Sequence, residues 1–483
     1  MRSVRASATI LSSIIATLMA GGPACADEGV PPDARAKIRA AAPQQAPAKP
    51  AQARRLLVYT ACQGFRHSAI PYCTAALEIL GEKTGAFSVV ASDDPAVFKP
   101  ESLNTFDAVC FNNTTGELFE DATLKQALLD FIRGGKGIVG IHAATDCFYN
   151  WPEFGALMGG YFDGHPWNET VTVKLDEPGH PVNAAFGGKP FEIADEIYQF
   201  KEPYTRHALR VLLSLDTDKT NMTRDGIKRT DKDFAVSWVR NYGLGRLFYC
   251  SLGHREEIFC NPAVLGHYLA GIQFALGDLP ADATPSARIA ADGWTTLFNG
   301  QDLSGWITKP GSWVVEDGVL ARKGGGDIWT EQLFGDFTLD LEFKFEPEAN
   351  SGIFFRTGDI KDCVQTGIEM QVIDSFGKPA ADKHDCGAIY DCLAPRKNVV
   401  KKAGEWNHVT LTCRGPRIQV ELNGEAIVDM NLDEWTTAHQ NPDGTENKFN
   451  TAYKDMPRRG RIGFQDHGKS VWYRNIRLKR LDS

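Results

Sequence analysis

Two neighbouring stretches of the sequence, 350–356 and 367–374, carry side chains that suit the recognition of hydroxyl groups. Both stretches alternate apolar and polar residues with a period of two, which predicts β-strands. Glu369 and Gln371 share one face of the second strand, and Arg356 lies on the corresponding face of the first. If the strands pair, a carboxylate, an amide and a guanidinium meet on one rigid surface, which favours a sugar site. A solvated outer face of a sandwich alternates in the same way and is the alternative.

A second group of polar residues follows predicted strands in the segment 55–278. Continuous apolar strands alternate there with helical patterns, which predicts an α/β domain with a parallel sheet and an antiparallel portion near its end. Ligands of such sheets bind beyond the carboxyl ends of the strands. The polar stretches 62–67, 112–115 and 142–146 lie at those ends. No His-Glu-x-x-His motif occurs, so the helix of a zinc peptidase is absent.

The last part of the chain, residues 293–483, contains many short alternating strands separated by turn residues and no long helical pattern. Asn423-Gly424 between two such strands is a strong hairpin signal. This organisation predicts an all-β sandwich, so the fold class is α/β plus all-β.

The segments outside the two domains have compositions of their own. Residues 1–26 combine an arginine-containing start, an apolar core too short to span a bilayer and an Ala-x-Ala motif. These features predict a signal peptide cleaved after Ala26, and therefore a periplasmic or secreted protein. Residues 27–54, rich in Ala and Pro, predict a disordered linker, and 279–292 a second linker.

Charge and cysteine content restrict the classes of partner and site. The net charge is −9, and loss of the signal peptide removes two further positive charges. An acidic mature protein argues against nucleic acid or anionic membrane as a partner, and no other segment is apolar enough to span a bilayer. Ten cysteines remain, six in the first domain and four in the second, so disulfides within each domain are possible after export. The lack of Cys-x-x-Cys argues against structural zinc.

Four motifs stand out in residues 55–278: Gly64-Phe65-Arg66-His67, Gly140-Ile141-His142-Ala143-Ala144, Gly159-Gly160-Tyr161-Phe162 with His165-Pro166, and Asp195-Glu196-Ile197-Tyr198. They make this segment similar to the ThuA-like (trehalose utilisation) family, which has the class I glutamine amidotransferase-like (flavodoxin-like) α/β fold. Related amidotransferases carry a cysteine nucleophile on a sharp strand-to-helix turn. This sequence has His142 near that turn and Cys147 well beyond it, which argues against glutaminase chemistry.

The ThuA-like resemblance implies a sugar-processing role and a set of candidate site residues rich in histidine. A cluster of this kind could bind a metal ion or transfer protons. For each histidine taken alone, a hydrogen-bonded loop residue is the alternative. The candidates are His67, His142, Asp146, His165, Glu196, Tyr198 and His254.

Six motifs of residues 293–483 lie at 297–306, 350–356, 369–374, 387–390, 405–407 and 463–468. With them this segment closely resembles the 3-keto-disaccharide hydrolase domain family, a concanavalin A-like jelly roll (β-sandwich). The resemblance implies cleavage of 3-keto-glycosides. In such a sugar the C3 ketone acidifies the C2 hydrogen. Removal of that proton gives an enediolate, the aglycone leaves C1, and water adds for net hydrolysis.

Such chemistry requires a base, an acid for the leaving oxygen, and a positive charge or metal ion at the enolate oxygen. The catalytic candidates are Glu369, His467 and Arg356, and a divalent metal ion held by Glu369 and His467 is an alternative to Arg356. The substrate-binding candidates are Gln371, Asp374, His384, Gln465, Asp466 and Trp329.

A carbohydrate-binding jelly-roll module attached to a sugar-processing ThuA-like domain is the alternative function, because jelly rolls serve as lectins as well as enzymes. In that case Trp329, Trp406 and Trp472 stack on sugar rings, and Glu369 only binds hydroxyl groups. For each tryptophan, packing in the core is the alternative to stacking. Either function implies a small carbohydrate as partner, without nucleic acid and without a membrane span.

Overall fold

The computed structural model describes residues 29–290 and 292–481, which form two domains joined by a short connection. The predicted signal peptide, residues 1–26, lies outside the described residues. Within the described ranges, no helix is both long and apolar enough to cross a bilayer.

The first domain alternates strands with helices, as its apolar runs predicted. Its α-helices are α1 (Pro32–Ala41), α2 (Ile70–Thr84), α3 (Pro100–Leu103), α4 (Ala122–Arg133), α5 (Pro152–Met158) and α6 (Pro262–Ala275). Its strands are β1 (Arg55–Tyr59), β2 (Ser88–Ser92), β3 (Ala108–Asn112), β4 (Thr115–Gly116), β5 (Gly137–Ile141), β6 (Asp146–Cys147), β7 (Tyr161–Phe162), β8 (Trp167–Leu175), β9 (Phe191–Ile197), β10 (Phe200–Lys201), β11 (Arg210–Leu215), β12 (Ala235–Tyr242) and β13 (Gly245–Cys250).

Nine of these strands form one sheet in the order β2-β1-β3-β5-β13-β12-β11-β8-β9. The first five run parallel to one another, and the last four extend the sheet antiparallel. Every residue of β3 and β5 is buried, because apolar clusters cover both faces of the sheet at its centre. The carboxyl ends of β1, β5 and β13 therefore meet at one edge, as the α/β prediction requires.

Residues 29–54 do not form the disordered linker that their composition predicted. The segment includes α1, whose Ile38 side chain is fully buried in the core of the first domain. Further along, the backbone of Ala48 donates a hydrogen bond to the Gln273 side chain and accepts one from it. The prediction was wrong because composition reports only the average apolarity of a segment. One buried isoleucine and hydrogen bonds to a distant helix hold this segment against the first domain.

The second domain is a β-sandwich, which confirms the all-β prediction. An eight-stranded sheet has the order β16-β17-β26-β19-β22-β23-β24, with β14 paired to β26, and a five-stranded sheet has the order β15-β18-β25-β20-β21. The strands are β14 (Trp294–Thr296), β15 (Trp306–Ile307), β16 (Trp313–Glu316), β17 (Val319–Arg322), β18 (Ile328–Thr330), β19 (Phe337–Phe345), β20 (Asn350–Thr357), β21 (Ile368–Ile373), β22 (Asn407–Arg414), β23 (Arg417–Leu422), β24 (Glu425–Asn431), β25 (Arg461–Phe464) and β26 (Val471–Arg480), with one short helix, α7 (Cys363–Thr366).

All ten cysteines within the described residues have free thiols, so the disulfides considered from the even cysteine counts are not formed. Seven of the ten are buried. Burial as small apolar side chains therefore accounts for most of them without cross-linking.

Replacement of Ile38 tests whether α1 belongs to the folded domain. Ile38→Ala should lower the free energy of unfolding by about 2 to 5 kcal/mol, because it leaves a cavity in the core. Urea unfolding of the full chain measures the change, and Lys37→Ala, at an exposed position of the same helix, is the matched control. Equal stability of the two variants would contradict the docking of this segment.

Candidate functional site

The outer face of the five-stranded sheet brings together residues from four of its strands. Across the sheet, Trp329 of β18 lies opposite Gly463 of β25, and Phe354 of β20 lies opposite Glu369 of β21. The alternate residues of β21, such as Met370, are buried in the core between the two sheets. The predicted alternation of β21 is therefore confirmed, and Glu369 lies on the face away from the core.

Glu369 lies flat against the neighbouring strand at Gly352. A Cβ atom at position 352 would lie 2.0 Å from a carboxylate oxygen of Glu369, so only glycine leaves room for it. The Glu369 side chain is 6% exposed. Burial raises its pKa to about 7, with a further increase from Asp327 and an opposing effect of Lys448. A carboxyl group that ionises near neutral pH is suited to act as a general base.

Gln371 follows Glu369 on the same face and retains an unused acceptor. Its side chain is 3% exposed, and its Oε1 atom has no hydrogen-bond partner among the described residues. The backbone of Gln371 pairs instead with a segment that runs beside β21: its N–H donates to Ala388, and its carbonyl accepts from Gly387. In the same way Tyr390 donates its N–H to the carbonyl of Glu369. Residues 387–390 therefore form a wall beside the carboxylate.

Asp327, which directly precedes β18, is a second acidic residue near Glu369 that the sequence analysis missed. Burial raises its pKa, and the charge of Asp466 adds to the increase, while a backbone hydrogen bond and His467 oppose it. The N–H of Asp466 donates to one Asp327 oxygen at 2.7 Å. Asp327 precedes Trp329 by two positions, so a period-two alternation extended through this stretch would have placed both residues on one face.

Lys448 and Tyr390 complete this site and were also missed. The Lys448 ammonium lies 4.2 Å from the centre of the Tyr390 ring, and its charge lowers the pKa of Glu369. Lys448 belongs to a long loop without periodicity, which is held in place because its N–H donates to Asp391. No local pattern in the sequence signals that this loop returns to the sheet.

The loop after β25 carries three predicted residues with different roles. Gln465 donates its N–H to the carbonyl of Gly352, so its backbone belongs to the sheet beside Glu369. Asp466 is engaged by Arg322 and by the N–H of Gly326, which makes it a structural anchor. His467 is exposed, and its charge lowers the pKa of Asp327. Its side chain forms no ion pair with Glu369 among the described residues, and the suggestion that these two residues hold a metal ion stays a prediction.

Arg356 does not join Glu369, contrary to the sequence prediction. Its backbone has a φ of +52°, and the pairing of β20 with β25 is irregular between Phe354 and Thr357. The guanidinium is fully buried, donates to the carbonyls of Gly335 and Gly415, and forms an ion pair with Asp336 at 2.8 Å. The prediction was wrong because the left-handed residue interrupts the alternation on which it depended.

The remaining predicted substrate-binding residues lie at different depths. Asp374 accepts the N–H of Glu348 and stabilises a turn at the end of the strand pair. His384 is half exposed, lies 3.1 Å from Asp391, and contacts the Tyr390 ring. Trp329 is 4% exposed and packs against Phe354 over Gly463, so it forms the floor of this face.

The α/β domain brings four of its predicted residues into a second cluster. Side-chain ligand atoms of these four residues all lie within 4.8 Å of one another, and the described residues contain no other cluster of this kind with three or more potential ligands. They come from the loops after β1, β5 and β13 and from β9, which meet at one edge of the sheet. The residues are His67, His142, Glu196 and His254.

Histidines surround the carboxylate of Glu196. His254 lies 3.2 Å from one oxygen, and His142 lies 3.6 Å from the same oxygen. Burial by itself raises the pKa of Glu196, but the two histidines outweigh it and hold the pKa well below its usual range. Burial and the neighbouring histidines lower the pKa of His67 to about 3, so this ring is neutral near pH 7.

Hydrogen bonds outside the cluster orient its members. His142 Nδ1 lies 2.6 Å from the carbonyl of Ser251, which can only accept, so Nδ1 carries the proton and Nε2 faces the cluster. The Tyr198 hydroxyl lies 3.0 Å from that Nε2. The Asp195 carboxylate accepts the N–H groups of Gly253 and Arg255, which fixes the loop that carries His254.

Two further predicted residues lie at the border of this cluster. His165 is half exposed and lies 3.2 Å from the other oxygen of Glu196. Asp146 accepts a hydrogen bond from Tyr149 at 2.6 Å, and its burial raises its pKa. The structure thus assembles all seven predicted residues of this domain within one region.

Comparison with known families assigns both domains. Residues 55–275 match the family model for trehalose utilisation (ThuA), and residues 293–479 match the model for a 3-keto-alpha-glucoside-1,2-lyase-like domain. Each family model matches one of the two domains. The ThuA domain therefore precedes the lyase-like domain, in the order predicted from the motifs.

Individual relatives match one domain each. A 3-keto-disaccharide hydrolase from Bacteroides thetaiotaomicron is 28% identical over 233 residues, which is 40% of this chain and 80% of the relative. The structure of a candidate glycosyl hydrolase from Parabacteroides distasonis is 37% identical, covering 39% of this chain and 99% of its own, with a TM-score of 0.37. The structure of a ThuA-like protein from Bacteroides uniformis is 24% identical, and the match covers 47% of this chain and 94% of that protein, with a TM-score of 0.40. The lyase-like family match and the Bacteroides thetaiotaomicron relative support a sugar-processing, hydrolase-like role.

The ThuA domain does not place a cysteine at its strand-to-helix turn. His142 occupies the turn after β5 with a φ of +50°. Cys147 is fully buried, and burial raises the pKa of its thiol. Because a nucleophilic cysteine requires an accessible thiolate, the structure agrees with the argument against glutaminase chemistry.

The raised pKa of Glu369 predicts a pH-dependent difference in stability between the wild type and Glu369→Gln. Below the usual pKa of 4.5, Glu369 is protonated in both the folded and the unfolded state, so its ionisation does not lower the free energy of unfolding. As the pH rises to about 7 the unfolded state ionises first, and the wild type loses roughly 3 kcal/mol relative to the variant. Urea unfolding at intervals from about pH 4.5 to pH 8 measures this difference. Glu421→Gln, at an exposed position, provides the same charge change, and an identical pH trend in both variants would contradict the assignment.

Proposed function

We propose that the lyase-like domain cleaves 3-keto-glycosides, including 3-keto-disaccharides, by elimination followed by hydration. The observation that carries this proposal is the buried Glu369 carboxyl group, whose pKa of about 7 suits a general base at neutral pH. The similarity to the Bacteroides thetaiotaomicron protein named 3-keto-disaccharide hydrolase supports the substrate class.

In the proposed reaction, the ionised Glu369 carboxylate takes the proton from C2 of the sugar. The electron pair of that C–H bond forms an enediolate between C2 and C3, with negative charge on the former ketone oxygen. Collapse of the enediolate breaks the bond between C1 and the aglycone oxygen, which takes a proton from a general acid. Water then adds its hydroxyl to C1 while Glu369 returns its proton to C2 and the general acid recovers a proton from water. One water molecule is consumed overall.

The neighbours of Glu369 suit the other requirements of this reaction. Arg356 is buried elsewhere, so we assign stabilisation of the enediolate oxygen to the Lys448 ammonium, whose charge already acts on Glu369. Asp327 has a raised pKa and lies beside the same carboxylate, so we assign it the role of acid for the aglycone oxygen. The unused Oε1 atom of Gln371 can accept a hydrogen bond from a sugar hydroxyl.

Glu369→Gln in the full chain tests the base directly. We expect kcat on a 3-keto-disaccharide to fall by roughly 10²- to 10⁴-fold, because the amide cannot accept the C2 proton, while sugar affinity stays within a few-fold. In the wild type, kcat/KM should rise with pH and level off above about pH 7, as Glu369 ionises. Glu421→Gln should retain the wild-type rate.

The same experiment distinguishes the alternative function. If the wild type binds the sugar and the Glu369→Gln variant turns it over as fast as the wild type, the lyase-like domain is a carbohydrate-binding module and catalysis belongs to the ThuA domain. That result would contradict the assigned base. The convergence of four potential metal ligands in the ThuA domain is the observation that favours this second candidate.

We also propose that the ThuA domain binds a divalent metal ion and acts on a related keto-sugar. The residues fit such an ion: three imidazoles and one carboxylate converge, and the buried Nδ1 of His67 has no hydrogen-bond partner among the described residues. His67, His142, Glu196 and His254 would hold the ion, which could polarise a carbonyl oxygen of the sugar. Ser251 fixes the His142 ring, and Tyr198 places a hydroxyl beside it for proton transfer.

Metal content of purified variants tests this site independently of activity. The full chain, reloaded with Zn²⁺ after chelation and dialysed, should retain about one ion per molecule. His142→Ala and His254→Ala should lose it, because each removes one of four ligands. His207→Ala, at an exposed position of the same domain, is the control. Retention of the ion in both cluster variants, measured by mass spectrometry, would exclude this site.

A further inference from the structure

The two domains meet at a cavity of about 210 Å³ that lies apart from both sites described above. Residues of the ThuA domain, the connection and the lyase-like domain line it together. Four arginines contribute to the lining, one from β13 of the ThuA domain and three from the lyase-like domain: Arg246, Arg459, Arg461 and Arg480.

The two acidic residues of the lining are already engaged. Asp282 forms ion pairs with Arg210 at 2.9 Å and with Arg480, one of the four cavity arginines, at 3.4 Å, and it accepts hydrogen bonds from Thr284. Glu331 accepts the N–H of Gly243 at 2.9 Å; burial raises its pKa, and the charges of Arg240, Arg461 and Arg288 oppose the increase. The lining therefore holds four guanidinium groups against two carboxyl groups, one of which is shared between Arg210 and Arg480.

Two of the arginines have no partner of their own. The guanidinium groups of Arg246 and Arg459 make no hydrogen bond or ion pair with any residue of the described ranges. Burial lowers the pKa of Arg246, the positive charges of Arg459 and Arg54 lower it further, and the charge of Asp278 opposes the decrease. Burial and the charge of Arg246 likewise lower the pKa of Arg461 to about 10, against an opposing effect of Glu331. Like charges are thus held together in a partly desolvated space, in a protein that is acidic overall.

We propose that this cavity binds a small multivalent oxyanion of the phosphate class. Planar guanidinium groups donate paired hydrogen bonds to such oxyanions, and an anion between them would offset their mutual repulsion. Because Arg246 and Arg459 belong to different domains, the bound anion bridges the ThuA and lyase-like domains. The sugars of the proposed function carry no charge, so this ligand is distinct from them.

Calorimetric titration of the full chain with inorganic phosphate, at constant ionic strength set by sodium chloride, tests the site. We expect saturable binding to the wild type and affinity about tenfold weaker or worse in Arg459→Gln, which loses charge-assisted hydrogen bonds. Arg459 is exposed, so this variant should fold normally. Arg414→Gln, at another exposed arginine of the same domain, is the matched control and should bind like the wild type.

Thermal unfolding supplies a second readout of the same proposal. Phosphate should raise the Tm of the wild type and of Arg414→Gln, and it should raise the Tm of Arg459→Gln much less. Sulfate should substitute for phosphate, whereas the same ionic strength of chloride should not. Absence of saturable binding, or equal phosphate affinity in Arg459→Gln and Arg414→Gln, would overturn the proposal. None of these measurements depends on turnover, so the outcome is independent of the proposed reactions.

Discussion

Burial of carboxylates governs both candidate sites, because a carboxylate that leaves water must either find positive partners or take up a proton. Glu369 has almost no solvent exposure, and this burial raises its pKa to about 7. The charge of Lys448 opposes the increase, and the repulsion of Asp327 adds to it. Glu196 is buried to a similar degree but lies among histidines, which hold its pKa well below the usual range. The same desolvation therefore produces a candidate base in one domain and a candidate ligand in the other.

Each site depends on a rigid backbone that leaves room for the reacting group. In the lyase-like domain, Gly352 lets the Glu369 side chain lie against the sheet, and Trp329 and Phe354 form an apolar floor beside it. In the ThuA domain, Asp195 holds the backbone on both sides of His254, and Ser251 fixes the His142 ring. Strand register and backbone hydrogen bonds thus position the groups, while the charged neighbours set their protonation.

Much of the architecture and part of each site could be predicted from local patterns. Apolar runs predicted the α/β sheet, and period-two alternation placed Glu369 and Gln371 on one face. The convergence of His67, His142 and His254 followed from a general property of parallel sheets, in which the loops after the strands meet at one edge. Asp327 could have been found by the same alternation, since it precedes Trp329 by two positions.

The sequence by itself determined which faces of regular strands are polar, which strand ends carry histidines and which family model each domain matches. Those properties depend on neighbours along the chain and on spacing. Only the tertiary structure decided that Arg356 is buried against Asp336, that residues 29–54 dock on the first domain, and that Lys448 reaches the Tyr390 ring. These outcomes depend on a left-handed residue, on hydrogen bonds between distant segments and on the return of a long loop. The energies of such contacts arise between residues far apart in the chain, which local periodicity does not record.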